Sequence, residues 1–538
     1  MNIPRHIFPL IGTAAGAMGL AACSGDAGKP AEDTRPNILF VLAEDMTLDL
    51  GCYGRTDVKT PNLDRLAAEG VMYTNARCVA PLSSPTRSSM MTGLHHTITG
   101  SHNHRSNHDV PLPDRTVRPF TAYLRDAGYT CILGNRDCFE NPVTHNDHES
   151  SRKLDLNFKF ENVGQYDGVK HFGLFDKLYD IMPEDAPFFS QVTLYNTHRG
   201  DWWKSIREQS SHPVDPDSVV LPPYLADHPK IREEFACYLD QVEYMDAQFG
   251  MIMEQLGDKG LLDNTIVIFI ADNGRAELRA KGFMYEDGTK IPMIIWGKGI
   301  RHAVVDDLVS ELDIPATILK LAGVDIPEYY QGKSLDIFNS PEEQNGGHEW
   351  LYLARDTWDE IFECIRGVHT DRYTYVRNYM PQVPYDPHHM YQEFYRPALH
   401  VMRTMRDKGL LNEAQMLFFA KSKPVEELYD YIADPFCLHN LAGDPEMLDV
   451  LNEMRGLMDS WLAEYPDKGI EDRLTRVLAE DRRDENRPRP YVQKYYPEEW
   501  KRIEEGEIVD KYDIWKIEQK KMKAAMRESG QRTDGNLK

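Results

Sequence analysis

The run Asn37-Ile38-Leu39-Phe40-Val41-Leu42-Ala43, followed at once by Glu44-Asp45, decides how this chain folds. Six consecutive apolar residues without alternation, ended by two acids, have the length and pattern of a strand buried on both faces, which belongs in a parallel sheet covered by helices. Downstream, Thr60 to Gly70 reads as a helix: Thr60 can cap it, Pro61 suits the first helical position, Leu63, Leu66 and Ala67 share a face, and Gly70 can close it. Phe188 to Tyr195 predicts a strand, Lys230 to Leu256 a long helix, and Thr265 to Ala271 a second apolar strand, ended by Asp272-Asn273-Gly274. A run at Ile291 to Trp296 and a helix near Ile314 to Leu321 follow. This alternation predicts an α/β fold over residues 36–345, a large mixed, mostly parallel sheet sandwiched by helices. From Trp350 the segments become shorter and more aromatic, as in Tyr373 to Tyr379, and are followed by a helix from Met447 to Tyr465. A small C-terminal α+β domain is expected over 346–479. Residues 480–538 form a charged extension in which Trp500, Tyr512 and Trp515 belong either to a disordered tail or to a wrapped segment that they anchor.

With 538 residues, 41% of them hydrophobic, the chain is long enough for one large core and a smaller one. The formal net charge of -25 argues against nucleic-acid binding, which needs an excess of Lys and Arg, and an anionic substrate would require a locally basic pocket. Arg5 precedes a mostly apolar or small stretch, Phe8 to Ala22, that ends in Leu20-Ala21-Ala22-Cys23. This resembles the lipobox of bacterial lipoproteins, so residues 1–22 read as a lipoprotein signal peptide, Cys23 as the lipidated residue and 23–35 as a linker. The expectation is an exported protein, tethered in the periplasm or on the outer membrane surface; a plain secretory signal is the alternative. No other stretch approaches the ~20 apolar residues of a membrane helix, so membrane contact is expected only through the lipid. Of the remaining cysteines, Cys131 and Cys138 could pair, although scattered buried thiols fit the irregular spacing better.

Ligands of α/β sheets gather beyond the carboxyl ends of the strands. Glu44-Asp45 and Asp272-Asn273 both sit there, and four such oxygen-bearing side chains could surround one hard divalent cation, Ca²⁺ or Mg²⁺. The third element is Ser83-Ser84-Pro85-Thr86-Arg87-Ser88-Ser89-Met90-Met91-Thr92-Gly93. Local rules make Ser84 a helix N-cap, Pro85 the first helical residue and Gly93 the terminator. Ser83 then lies just ahead of a helix N-terminus, where backbone N–H groups favour an anion.

This run is similar to the signature of the formylglycine-dependent sulfatases of the alkaline phosphatase superfamily: Cys or Ser, any residue, Pro, Ser or Thr, then Arg, with Thr-Gly at this distance. Asn37 to Asp45, Thr60-Pro61-Asn62-Leu63-Asp64, Thr265 to Gly274 and Lys281 to Pro292 match flanking landmarks in order. Glu44-Asp45-Met46, Arg279-Ala280-Lys281-Gly282, Glu427-Leu428-Tyr429-Asp430, Asp434-Pro435 and Asn440-Leu441-Ala442 resemble the sulfamidase-like branch, the heparan N-sulfatases and their bacterial relatives.

The resemblance implies an alkaline-phosphatase-like sheet and hydrolysis of sulfate ester or sulfamate on a saccharide, glycosaminoglycan-like or another sulfated glycan. It implies that Ser83 is oxidised to formylglycine (3-oxoalanine) by a serine-type maturating enzyme. Position 83 then shares one cation, Ca²⁺ before Mg²⁺, with Glu44, Asp45, Asp272 and Asn273. Arg87 and Lys281 become countercharges, and His198 contacts the sulfate and protonates the leaving oxygen or nitrogen. Two departures follow. Glu44 stands where Asp is commoner. The family's Gly-Lys-Trp-His is met by Gly134-Asn135-Arg136-Asp137, in which Asp137 can replace the His but Asn135 brings no charge. Either Arg136 reaches in as the substitute cation or turnover is impaired. His102, His104 and Arg105, in a loop that also holds His95, His96 and His108, are candidate sugar contacts, as is the pair Arg355-Asp356, whose ordinary reading is a surface ion pair. A phosphoester hydrolase of the same superfamily and a catalytically silent lipoprotein that binds sulfated glycans are the competing readings. The sequence leaves the oligomeric state open.

Overall fold

The structure, a computed structural model, describes residues 34–107, 110–135, 153–160, 165–166, 169–170, 173–200, 202–339, 346–359, 361–387, 389–472, 497–498 and 501. Cys23, His108, Arg136, Asp137, Cys138, Trp500, Tyr512 and Trp515 lie outside the described residues. The chain divides between Thr34 and Arg35, and the second unit, Arg35–Lys538, holds both main sheets.

The strands are β1 (Asn37–Ala43), β2 (Val71–Arg77), β3 (Thr130–Leu133), β4 (Gln165–Tyr166), β5 (Val169–Lys170), β6 (Lys177–Leu178), β7 (Phe188–Leu194), β8 (Thr265–Ala271), β9 (Lys290–Trp296), β10 (Ala303–Val305), β11 (Val309–Ser310), β12 (Trp350–Arg355), β13 (Ile365–Thr370), β14 (Tyr373–Asn378) and β15 (Glu426–Asp430). The large sheet runs β10-β2-β9-β8-β1-β7-β3-β6, with β11 also paired to β2. It is parallel except where β9 meets β2 and β8. The apolar runs occupy its middle: β1, β7 and β8 are buried at every residue, as strands covered on both faces must be. β1 pairs in parallel with both neighbours, and the register sets Ala43 beside Leu194 on one side and Ala271 on the other. The three strands therefore end level, so Glu44-Asp45, Tyr195 to His198 and Asp272-Asn273 leave the sheet along one edge.

Helices cover the sheet. α1 (Pro61–Glu69) begins with Pro61 and buries Leu63, Leu66 and Ala67. Thr60 makes no side-chain cap; its hydroxyl donates instead to Asp64 Oδ1 at 2.9 Å. The long helix is Pro229–Asp258, one residue earlier and two later than its apolar pattern indicates. β12 to β15 form a four-stranded antiparallel sheet. The helix Leu448–Glu464 packs Leu451, Met454 and Met458 against its Tyr352, Val368, Tyr375 and Leu428. Arg279 and Glu427 tie the two sheets together. The Arg279 guanidinium lies 3.9 Å from the centre of the Tyr285 ring, and the Tyr285 hydroxyl donates to Glu427 Oε2 at 2.7 Å. Cys131 is buried with a free thiol that donates to Thr121 O. No described helix is long and apolar enough to cross a membrane.

Candidate active site

The edge where β1, β7 and β8 end is shaped by one backbone irregularity. Asp45 has φ 42°, a left-handed conformation that costs a non-glycine residue on the order of 1 kcal/mol or more. Its neighbours hold it there: Glu44 N–H donates to Leu194 O at 3.1 Å and Met46 N–H to Asn273 O at 2.9 Å. Asp45 N–H itself donates to Asp272 Oδ1 at 3.1 Å. The turn brings two successive acids from β1 against the end of β8. Thr197 fixes the end of β7 by donating its hydroxyl to Glu44 O at 2.5 Å.

The signature run forms α2 (Ser83–Thr92), closed by Gly93 in the left-handed conformation at φ 69°. The helix starts earlier than local rules indicate. Leu82 is its N-cap, without a side-chain bond, Ser83 is the first helical residue and Pro85 the third. Ser84 does not cap because its hydroxyl accepts the N–H of Arg105 at 2.8 Å. Ser83 donates its hydroxyl to Asn273 Oδ1 at 3.1 Å. Arg87 lies four residues on, one turn above Ser83 on the same face. Its guanidinium bonds to Glu44 Oε1 and, at 3.0 Å, to Asp272 Oδ2. Lys281 Nζ donates to Asp45 Oδ1 at 2.6 Å, and Asn273 Nδ2 to the same oxygen at 3.0 Å. Lys281 is delivered by a tight approach: at Gly282 (φ 88°) a Cβ would lie 2.5 Å from the Trp358 ring.

Three buried carboxylates thus share one small volume, and their protonation tendencies separate. Burial alone would push Glu44 up, but Arg87 and then Lys153 hold it well below the usual carboxylate range. Asp45 is likewise lowered against its burial, by Lys281 and His198. Asp272 goes the other way, pushed up to about 6 by burial and by Glu44. Asp45 Oδ2 is buried without a hydrogen-bond partner, 3.8 Å from His198 Nε2. Among the described residues, Glu44, Asp45 and His198 form the group of potential ligands that brings one atom from each within 4.8 Å of the others. An orphaned carboxylate oxygen beside three more oxygen-bearing side chains is the donor set of a hard divalent cation, so the residues fit one. His198 is pushed down to about 3 by burial, helped by Lys281 and Lys153. Its Nδ1 lies 3.2 Å from Arg199 O, which can only accept; Nδ1 carries the proton and the lone pair is on Nε2.

The cation absent from position 135 is supplied from elsewhere. Asn135 is turned away, its amide donating to Gln255 Oε1 of the long helix at 2.8 Å. Lys153 takes the place, with Nζ 2.8 Å from Glu44 Oε2 and its carbonyl accepting from Thr193 Oγ1 and Arg87 Nη1. Sequence reasoning missed it because Gly134-Asn135 follows the Gly-Tyr strand where the family motif is expected. The available signal was Lys153-Leu154-Asp155, which repeats the Lys-x-His spacing with Asp in the third place. Asp155 is 3.8 Å from both Lys153 Nζ and Arg105 Nε.

The expected sugar contacts divide. Arg105 lies at the site, half-exposed with φ 50°, its N–H on Ser84. His104 is next to it and hydrogen-bonds Asp359 Oδ1 at 2.9 Å. His102 is buried against Asp472 Oδ2 at 2.9 Å. Arg355 and Asp356 are neither on the surface nor paired with each other. Arg355 binds Glu363 at 2.6 Å and Asp356 binds Arg366 at 3.0 Å, both inside the small sheet's ion network. Two aromatic residues that sequence did not single out border the site. The Tyr391 ring is 5.8 Å from the His198 ring and from Lys281 Nζ, and Trp358 backs Gly282.

An α/β sheet that collects a helix-borne serine, three carboxylates and three cations at one edge defines a hydrolase of anionic esters. Comparison with known proteins makes this specific. Residues 36–324 match the family described as Sulfatase, and residues 274–387 the family described as N-sulphoglucosamine sulphohydrolase, C-terminal. An ulvan-active sulfatase of Formosa agariphila is 31% identical over 456 residues, covering 80% of this chain and 76% of that one. Human N-sulphoglucosamine sulphohydrolase is 25% identical over 485 residues, covering 81% and 91%. A protein solved in complex with its substrate D-glucosamine-2-N,6-O-disulfate superposes with a TM-score of 0.54 at 19% identity, covering 81% and 99%, a likeness of fold. The chain belongs to the sulfatase family, in its sulfamidase-like branch.

Proposed function

We propose that this sulfuric ester hydrolase removes sulfate, as ester or sulfamate, from a glycosaminoglycan-like or other sulfated saccharide. It does so with formylglycine at position 83 and one divalent cation, Ca²⁺ before Mg²⁺. The observation that carries this reading is the position of Ser83, at the N-terminus of α2 and 3.1 Å from Asn273 Oδ1 in a cluster of carboxylates whose Asp45 Oδ2 has no partner. Glu44, Asp45, Asp272 and Asn273, with position 83, would hold the cation, which supplies Lewis-acid polarisation. Formylglycine would supply, as its hydrate, a nucleophilic hydroxyl for sulfur and a second hydroxyl that, on losing its proton, expels sulfate by breaking its carbon–oxygen bond and restores the aldehyde.

The remaining chemistry falls to the chain's own side chains. Arg87 balances Glu44 and Asp272, which would otherwise repel across the site. Lys281, held on Asp45, and Lys153, held on Glu44, would offset the charge of the sulfonyl oxygens, a fixed arrangement that needs no reorganisation during reaction. His198 hands a proton to the departing oxygen or nitrogen; the bound sulfate's negative charge favours its protonated form. The names of the relatives, which act on ulvan or N-sulphoglucosamine, support a polysaccharide-derived substrate. Export and a lipid anchor at Cys23, in the periplasm or on the outer membrane surface, and maturation by a serine-type enzyme belong to the same reading.

The test is release of inorganic sulfate by protein matured in its own host, on sulfated monosaccharides and disaccharides, with and without EDTA. Sulfate release that stops on chelation and returns with Ca²⁺ is expected. Release of phosphate from phosphate monoesters in preference to sulfate, or a rate indifferent to EDTA, contradicts the proposal.

A further inference from the structure

Asp359 sits in a tight turn in which Trp358 and Ile361 exchange backbone hydrogen bonds at 2.9 Å, and it adopts φ 49°. His104 Nδ1 donates to its Oδ1 at 2.9 Å, and His389 Nε2 lies 3.3 Å from its Oδ2. These come from three separated stretches of chain, the loop after α2, the turn after β12 and the segment preceding the helix Met390–Tyr395. The turn is locked to the loop by His104 N–H donating to Thr357 O at 3.0 Å. Burial would raise Asp359, but His104 and then His389 beside it hold it well below the ordinary range, so it is a carboxylate that only accepts. His104 Nδ1 must therefore carry a proton. Besides Asp359, Asp155 and Arg105 are the charges nearest this ring, and burial outweighs the carboxylates, so His104 is lowered and neutral. Its lone pair is then on Nε2, which is buried and has no hydrogen-bond partner.

A buried acceptor left open in this way is destabilising unless something donates to it. The loop carries His104 into the corner next to the reaction centre: Arg105, the next residue, donates its N–H to Ser84, and Asp155 and Lys153 link the same corner to Glu44. We propose that His104, oriented by Asp359 and braced by His389, is a specificity-determining residue whose Nε2 accepts a hydrogen bond from a hydroxyl or N–H on the sugar ring next to the sulfated position. Asp359 is its positioning residue. The enzyme would accordingly favour saccharide sulfates that carry such a donor over aryl sulfates that lack one. The proposal rests on the sulfatase reading and names what that site recognises.

The experiment compares kcat/KM on the best substrate from a panel of sulfated glucosamine, galactosamine, uronate and rhamnose monosaccharides with kcat/KM on 4-nitrophenyl sulfate. Matured, Ca²⁺-loaded protein is used as wild type, His104→Leu, His104→Gln and Asp359→Ala. The saccharide-to-aryl ratio is expected to fall about 100-fold in His104→Leu. It should recover at least tenfold of that in His104→Gln, whose amide oxygen can accept, and fall in Asp359→Ala mainly through KM, because an unheld ring offers its lone pair only part of the time. A ratio that does not change in His104→Leu, saccharide and aryl rates that drop in parallel, or a glutamine variant no better than leucine overturns the inference. So does a wild type that turns over the aryl sulfate and no saccharide, an outcome under which the sulfatase reading stands. Matured wild type that releases sulfate from neither substrate overturns the sulfatase reading itself and this inference with it.

Discussion

Arg87 stands between Glu44 and Asp272, and removing it leaves Asp272 without its ion-pair partner and Glu44 with Lys153 alone. Arg87→Leu is expected to destabilise the cation-free protein by ~3–5 kcal/mol, the cost of stranding buried charge. Saturating Ca²⁺ should recover much of that loss by taking over the missing charge. Chemical unfolding with and without Ca²⁺ checks this, and equal losses in both conditions would place the cation elsewhere. Lys153 and Asn135 make an opposed pair. Lys153→Ala is expected to lower kcat/KM by about 100-fold, as loss of one preorganised charge does, while Asn135→Ala changes it less than threefold. The reverse ranking would restore Asn135 to the site. At this scale much of the site was legible. Glu44, Asp45, Ser83, Arg87, Asp272, Asn273, Lys281 and His198 do converge, because strand ends and a helix start are local features that place side chains predictably. Lys153 was not legible, since it arrives from a loop whose path no periodicity encodes. Arg355 and Asp356 misled because their partners Glu363 and Arg366 come from tertiary contacts within the small sheet.

Strands buried on both faces leave an unbroken apolar record, which is why Thr265–Ala271 coincides with its expected bounds and Phe188–Leu194 falls one residue short of Tyr195. Helix ends are less faithful. α2 begins at Ser83 rather than after Ser84 because the hydroxyl that should cap it is taken by Arg105, a contact from outside the helix. The long helix Pro229–Asp258 carries a feature no sequence rule would flag. Its buried Glu234 accepts the N–H of Ala398 at 2.7 Å and stands near Glu277. Burial and that neighbour push its carboxyl up to about 8. A folded-state value above the unfolded one means stability that is present below the ordinary carboxylate value of 4.5 and is lost as pH rises toward about 8. Glu234→Gln cannot ionise, so its unfolding free energy should fall less steeply with pH across that window than the wild type's. Identical slopes in denaturant titrations would show that Glu234 does not hold its proton in the folded protein.

For the molecule as a whole, the register that ends β1, β7 and β8 level is what gathers the residues of the proposed cation site, and the cost is three carboxylates crowded at its edge. A cation that binds only the folded chain should return stability that grows with the logarithm of its concentration, about 2.7 kcal/mol when Ca²⁺ is at a hundredfold of its dissociation constant. EDTA is therefore expected to lower the melting temperature, and a melting temperature indifferent to both EDTA and Ca²⁺ would count against the site. On the proposed function, the edge of the large sheet presents a modified Ser83 to sulfate. Peptide mass spectrometry of protein purified from its own host tests it most directly. The peptide spanning Ser83 is expected to be lighter by two hydrogens than its sequence and to react with a hydrazine, as an aldehyde does. A peptide found only as unmodified serine, in protein that releases sulfate, would contradict it.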